Sequence, residues 1–137
     1  MRTTTYLLLL TILITFQSCF EIIEQVFLKA DGSGDFQLVL NMSKSKTRLN
    51  SIIKMKNING HDVPSKEEIK SKIADIEKTL GKTAGISNVR STADFDNFII
   101  SISCNFNKVT QINNGVKNIY LKENPKGKAS ERVFEYD

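Results

Sequence analysis

The chain is poor in the residues that carry most site chemistry. Its 137 residues include no tryptophan, one histidine (His61), two cysteines (Cys19 and Cys104) and two prolines. Two cysteines are too few for a disulfide scaffold. Zinc needs several His, Cys or carboxylate ligands at set spacing, and none cluster here. Seven glycines without a repeat exclude collagen-like and low-complexity chains. Basic residues are not interleaved with aromatics, and no nucleic-acid motif occurs, so nucleic acid is not an expected partner. No internal repeat is present, and the length suits one domain with a modest core.

What the chain has is a distinctive start. Met1–Tyr6 carries one positive charge, Arg2, and no acid. Leu7–Phe16 is apolar apart from Thr11 and Thr15, and Gln17, Ser18 and Cys19 follow. A short positive region, a short apolar stretch and a small residue before a cut site describe an export signal. A spanning helix needs roughly 20 apolar residues, and Glu21 and Glu24 end this run too early. The segment Ile14-Thr15-Phe16-Gln17-Ser18-Cys19 resembles the lipobox of bacterial lipoproteins, with Phe16 where leucine is usual. The resemblance implies a signal peptide over residues 1–18 and a diacylglyceryl group on Cys19, with an amide-linked acyl chain such as palmitate. Two or three chains anchor a protein stably where one does not. Phe20 is not the aspartate that holds such proteins at the inner membrane. The resemblance therefore implies the outer membrane, with the domain facing the periplasm or the cell surface.

The rest reads as one α+β domain over residues 19–123, with a tail or incomplete strand over 124–137. Glu24–Ala30 and Phe36–Met42 alternate with period two around Asp31-Gly32-Ser33-Gly34-Asp35, whose glycines and aspartates favour a turn. In the first strand Val26, Leu28 and Ala30 share a face. In the second, Phe36, Leu38, Leu40 and Met42 point inward. Lys44–Lys56 takes helical spacing through Leu49, Ile52 and Ile53. Asn57–Asp62 reads as a loop. Ser65 with Glu68 forms a capping box for a helix lined by Ile69, Ile73, Ile76 and Leu80 and terminated by Gly81. Val89–Phe95 is a weaker strand. After an Asp96-Asn97 turn, Phe98, Ile100, Ile102, Cys104 and Phe106 alternate with polar or outward residues. Thr110 caps a last helix with Ile112, Val116 and Ile119 inward, and Asn124–Lys128 breaks it. Val133–Asp137 has the pattern of another strand beginning. The order β-β-α-α-β-β-α predicts an antiparallel sheet of two hairpins with two to three helices on its apolar face.

Several fragments of known motifs fail on context. Asp31, Ser33 and Asp35 match the first ligands of a calcium loop. Phe36 and Met42 stand where that loop needs its glycine and bidentate glutamate. Gly81-Lys82-Thr83 matches the end of a phosphate loop, but it closes a helix instead of opening one. Ser33 lacks the setting of a nucleophile elbow. If Cys19 is acylated, Cys104 has no intrachain partner, and its alternating strand predicts a buried small hydrophobe. Lys44, Lys46, Arg48, Lys54 and Lys56 fall in the stretch between Asp35 and Asp62, which holds no acid. They are either a solvated helix face or a contact for anionic head groups, worth roughly 1 kcal/mol per residue near a surface.

Cys19-Phe20-Glu21-Ile22-Ile23-Glu24 followed by Leu28-Lys29-Ala30-Asp31-Gly32-Ser33-Gly34 resembles small uncharacterised bacterial lipoproteins, and more loosely the LppM-domain lipoproteins. The former share a strand soon after the lipidated cysteine, a D-G-S-G turn and a second strand, the latter show a similar strand–turn–strand start, and neither implies an activity. Only Cys19 carries over as a functional residue. The expectation is a non-catalytic binding or assembly module, tethered to the membrane by Cys19, with no cofactor and with an envelope protein, glycan or lipid as its partner. The alternative is a small envelope hydrolase with a site near His61.

Overall fold

The computed structural model describes residues 20–126. The signal segment, Cys19 and Val133–Asp137 lie outside the described residues. The fold is α+β: a four-strand antiparallel sheet made of two hairpins, with three helices packed against it. The strands are β1 (Glu21–Leu28), β2 (Gly34–Asn41), β5 (Ile86–Asp94) and β6 (Ile99–Phe106), in the order β1-β2-β6-β5. The helices are α1 (Lys46–Ile53), α2 (Lys66–Gly81) and α3 (Thr110–Glu123). A two-strand ribbon, β3 (Asn57–Ile58) with β4 (His61–Asp62), joins α1 to α2.

The first hairpin turns through Ala30–Gly32. Lys29 N–H donates to the Ser33 carbonyl at 2.8 Å, and Gly32 takes φ +82°. Asp31 Oδ1 accepts from both the Ser33 amide (3.0 Å) and the Ser33 hydroxyl (2.6 Å). That is a three-residue loop with glycine in the left-handed position. Strand β1 begins three residues earlier than alternation predicts. Glu21, Ile22 and Ile23 pair with Asn41, Leu40 and Val39, and an edge strand apolar on both faces hides its period.

Register sorts the sheet into two faces. One joins Ile22, Leu40, Ile100 and Ala93 across the strands, and the next row joins Glu24, Leu38, Ile102 and Ser91. Phe36 and Cys104 pair on the same face, as do Phe106 and Ile86. The other face carries Gln37, Ser101, Ser103, Thr92 and Asn105, and apart from Ile23, Phe27 and Val39 on the β1 side it is largely polar, as a sheet solvated on one side requires. Thr92 and Ser101 hydroxyls meet there at 2.7 Å. Asn88, at φ 50°, forms a bulge between Ser87 and Arg90, and its side chain donates to Asn105 Oδ1 at 2.7 Å. The bulge lets Ile86 and Ser91 share a face in spite of their odd spacing.

In the second hairpin, Asp94 Oδ1 accepts from the Asp96 and Asn97 amides, each at 2.9 Å. Phe98 is not yet strand. It sits in the left-handed region at φ 55° and is only 4 % exposed. That conformation costs about 1–2 kcal/mol, and burying the ring offsets it with about 1.5–3 kcal/mol.

The capping box of α2 forms as expected. Glu68 N–H donates to Ser65 Oγ at 3.2 Å, and Ser65 N–H donates to Glu68 Oε2 at 2.7 Å. Four local expectations are corrected. Gly81 is the last helical residue of α2, and the left-handed glycine is Gly85 (φ +80°), just before β5. Thr110 is the first residue of α3 and not its cap. Gln111 Oε1 accepts from the Asn107 and Lys108 amides instead, both at 3.0 Å. Residues 57–62 are not a plain loop, because Asn59 (φ 51°) and Gly60 (φ +83°) make the two-residue turn of the ribbon. The first helix also starts later, after a single 3₁₀ turn over Ser43–Ser45, and stops at Ile53.

The core lies where α2 and α3 cover β5 and β6. Leu80, Ile86, Phe106 and Ile112 are buried in it, with Phe36 and Cys104 alongside. Gly115 of α3 lets the helices close. A Cβ there would stand 2.7 Å from Leu80 Cδ2 and 3.0 Å from Ile86 Cδ1.

Candidate functional site

The two covering helices are displaced toward β5, so the β1 side of the apolar face stays open. An apolar cleft of about 630 Å³ results. Its floor is Ile22 of β1, Leu38 and Leu40 of β2, and Ile100 and Ile102 of β6. Its roof is Ile73 and Ile76 of α2 with Val116 and Ile119 of α3. Leu80, Phe36, Cys104 and Ile112 close the far end. Ile22, 63 % exposed, marks the open side. Ser101 contributes backbone, since its hydroxyl meets Thr92 on the outer face. The polar side chains in the lining are Glu24 of β1 and Tyr120, Glu123 and Asn124 at the end of α3.

The chain direction says which end of the sheet the mouth occupies. Helix α3 leaves the end of β6 and runs back beside it, so its C-terminus returns to the end where β1 starts. We call this the proximal end. Lys72 of α2 pairs with Glu123 there. The segment after β2 starts at the same end: Met42 N–H donates to the Phe98 carbonyl at 2.9 Å, and Lys44 forms an ion pair with Glu21. The charge of Lys46 is among the causes that hold the Asp94 carboxyl below its usual pKa, after hydrogen bonds from Asn97 and Asp96. Lys66 and Lys70, at the start of α2, lie 5.7 and 5.5 Å from the centre of the Phe95 ring.

The residues singled out from the sequence fall as follows. Lys44, Lys46, Arg48, Lys54 and Lys56 are all exposed, and the segment that carries them leaves the sheet at the proximal end. Cys19 lies outside the described residues, but Phe20 and β1 continue directly from it. His61 is exposed on the ribbon between α1 and α2. Its neighbour Asp62 accepts from Asn57 Nδ2 at 3.2 Å. Ser33 sits in the turn at the opposite end of the sheet, committed to Asp31. The structure does not bring Ser33 and His61 together. Thr83, the last residue of the phosphate-loop fragment, is buried. Its hydroxyl donates to the Thr79 carbonyl and accepts from Asn118 Nδ2, each at 3.2 Å.

Cys104 is 4 % exposed between Phe36 and the helices, as its strand position predicts. Burial, and secondarily the Asp35 charge, push its thiol up to about 11. A protonated buried thiol is a small hydrophobe and not a nucleophile at neutral pH. Among the described residues no group of three or more His, Cys, Asp or Glu is placed to hold a metal. Among them also, no helix is long and apolar enough to cross a membrane.

Sequence reasoning finds the cleft residues as core and misses the cleft. The available signal was β1, where Ile22, Ile23, Val26, Phe27 and Leu28 put apolar side chains on both faces. All five are exposed in the fold. Comparison with known proteins adds no relative: no protein-family model, curated protein or solved structure matches the chain.

Proposed function

We propose that the chain is a cell-envelope lipoprotein, tethered through a lipidated Cys19, whose domain is a non-catalytic binding module held against the membrane. One observation carries this reading: three separate features share the proximal end of the sheet. They are the start of β1, which follows Cys19 after a single residue, the acid-free segment bearing Lys44, Lys46, Arg48, Lys54 and Lys56, and the mouth of the apolar cleft. A tether at that end turns the basic segment toward anionic head groups, each basic residue near the surface contributing roughly 1 kcal/mol. It also turns the cleft toward lipid. The lipobox resemblance supports the outer membrane.

Mass spectrometry of the membrane fraction tests the tether. The expected result is a mature chain beginning at Cys19 and heavier by a diacylglyceryl and an acyl group. A mature N-terminus at any other residue rejects it. For the basic segment, the Lys44→Glu and Lys46→Glu double variant is expected to weaken binding of the unlipidated chain to vesicles containing anionic lipid. Equal binding by both proteins discards that contact.

A further inference from the structure

We infer that the cleft is a binding site for the single hydrocarbon chain of an anionic membrane amphiphile, which enters from the proximal end. This deepens the reading above and rests on it for the membrane as source, though not for the cleft itself.

Volume, lining and charge select the occupant. The cleft's volume of about 630 Å³ falls within the roughly 300–1,000 Å³ of small-ligand sites. A helical peptide is about 10 Å across, so that volume would hold less than two turns of it. An extended peptide brings one N–H and one C=O per residue. The interior, walled by Leu38, Ile73, Ile76, Ile102 and Val116, has among the described residues no polar side chain to receive them, and unpaired polar groups are costly to bury. A hydrocarbon chain brings none. The polar residues of the lining are confined to one side, at Glu24, Tyr120, Glu123 and Asn124. The mouth suits an anionic head because its acids are partly neutralised. Glu123 pairs with Lys72, and Glu21, just before Ile22, pairs with Lys44. Lys46 is set against Asp94, and beyond it the acid-free segment carries Arg48, Lys54 and Lys56.

The test uses the full chain carrying Cys19→Ala and an anionic fluorescent single-chain probe, 11-(dansylamino)undecanoic acid. Saturable uptake of one probe per chain, with a blue-shifted emission, is expected; dansyl amide, which lacks the chain, should give none. Ile73→Trp fills the cleft from α2 and should weaken uptake at least tenfold, with a cooperative thermal melt retained. Val116→Trp fills it from α3 and makes the same test if Ile73→Trp does not fold. Val39→Trp, on the outer face opposite Ser101, should leave uptake unchanged. Lys44→Glu with Lys72→Glu should weaken it severalfold.

Absence of saturable uptake overturns the proposal, as does equal uptake by the Ile73→Trp and Val39→Trp chains. One probe per two chains with a doubled mass by light scattering assigns the groove to a second copy and overturns it. Uptake by the Cys19→Ala chain but not by the lipidated protein assigns the groove to the protein's own anchor chain, which also overturns it. A mature N-terminus other than Cys19 would sink the tether and leave the probe result standing.

Discussion

Two glycines, both helical, should respond in opposite directions to the same substitution. Gly115 lies inside α3 at the contact with α2 and β5. Alanine there places Cβ 2.7 Å from Leu80 Cδ2 and 3.0 Å from Ile86 Cδ1, and both side chains are in the buried core. Overpacking of this kind costs about 1–3 kcal/mol. The gain from replacing glycine inside a helix is up to about 1 kcal/mol. Sterics should therefore win, leaving Gly115→Ala destabilised by about 1–2 kcal/mol. Gly81, exposed at the end of α2, has only Val89 Cγ2 near its Cβ position, at 3.9 Å. Gly81→Ala keeps the propensity gain, reduced by its terminal position to about 0.5 kcal/mol, and should stabilise. Urea denaturation followed by circular dichroism reads both as midpoint shifts at constant slope. A double-mutant cycle with Leu80→Ala isolates the clash. Leu80→Ala alone should cost about 2–5 kcal/mol. Adding Gly115→Ala to it should cost little more, a coupling of about 1–2 kcal/mol. If both glycine variants shift the same way, or if Gly115→Ala and Leu80→Ala add, the packing described for α3 is wrong.

Further outcomes follow from other local features. Ser65→Ala removes one side of the capping box and should cost about 1 kcal/mol, lowering the melting temperature by roughly 4 °C for a domain of this size. Alkaline titration should weaken the fold through Cys104. The folded thiol keeps its proton up to about pH 11 while the unfolded one loses it near 9, so stability falls as pH rises through that window, by up to about 3 kcal/mol. Cys104→Ala should flatten that slope. Cys104 should also react with a thiol reagent only as the protein unfolds; fast labelling of the native chain at pH 8 would contradict its burial. Below neutrality, Asp31, Glu68 and Asp94 each hold depressed carboxyl pKa values through hydrogen bonds from Ser33, Ser65 and Asn97. Their stabilisation is present above the unfolded carboxyl range and is lost as pH falls through their folded values. The Glu68→Gln chain should lose the Glu68 share of that acid dependence, whereas Ser65→Ala, which keeps the backbone N–H that donates to Glu68, should lose only the smaller part owed to the hydroxyl.

How much of this was legible depended on how local the deciding interaction was. Ser65 and Glu68 stand three residues apart and satisfy each other, so the start of α2 could be read directly. Asp31 and Ser33 did the same for the first turn. Phe36, Leu38 and Leu40 alternated because one face of β2 is covered and the other is not. Legibility failed where two local signals compete or where a nonlocal partner decides. Thr110 looked like a cap, but Gln111 reaches back to do that work. Asn59-Gly60 carried a hairpin signal, but two-residue strands leave no alternation to support it. The left-handed glycine fell at Gly85 because the chain must reverse into β5 there, and nothing near Gly81 told the two apart. The basic residues of the candidate contact were visible as a run without acids. Their shared end with β1 and the cleft was not, because it depends on strand order. The cleft itself is a tertiary accident of where α2 and α3 settle, and most of its apolar residues taken alone read as ordinary core.

The proposed anchor leaves the domain almost no leash. Phe20 is the single residue between Cys19 and the first strand, and an extended residue spans at most about 3.6 Å. A lipoprotein so attached cannot sweep the space above its membrane for distant partners. Whatever it meets must be in the bilayer, or must come down to it.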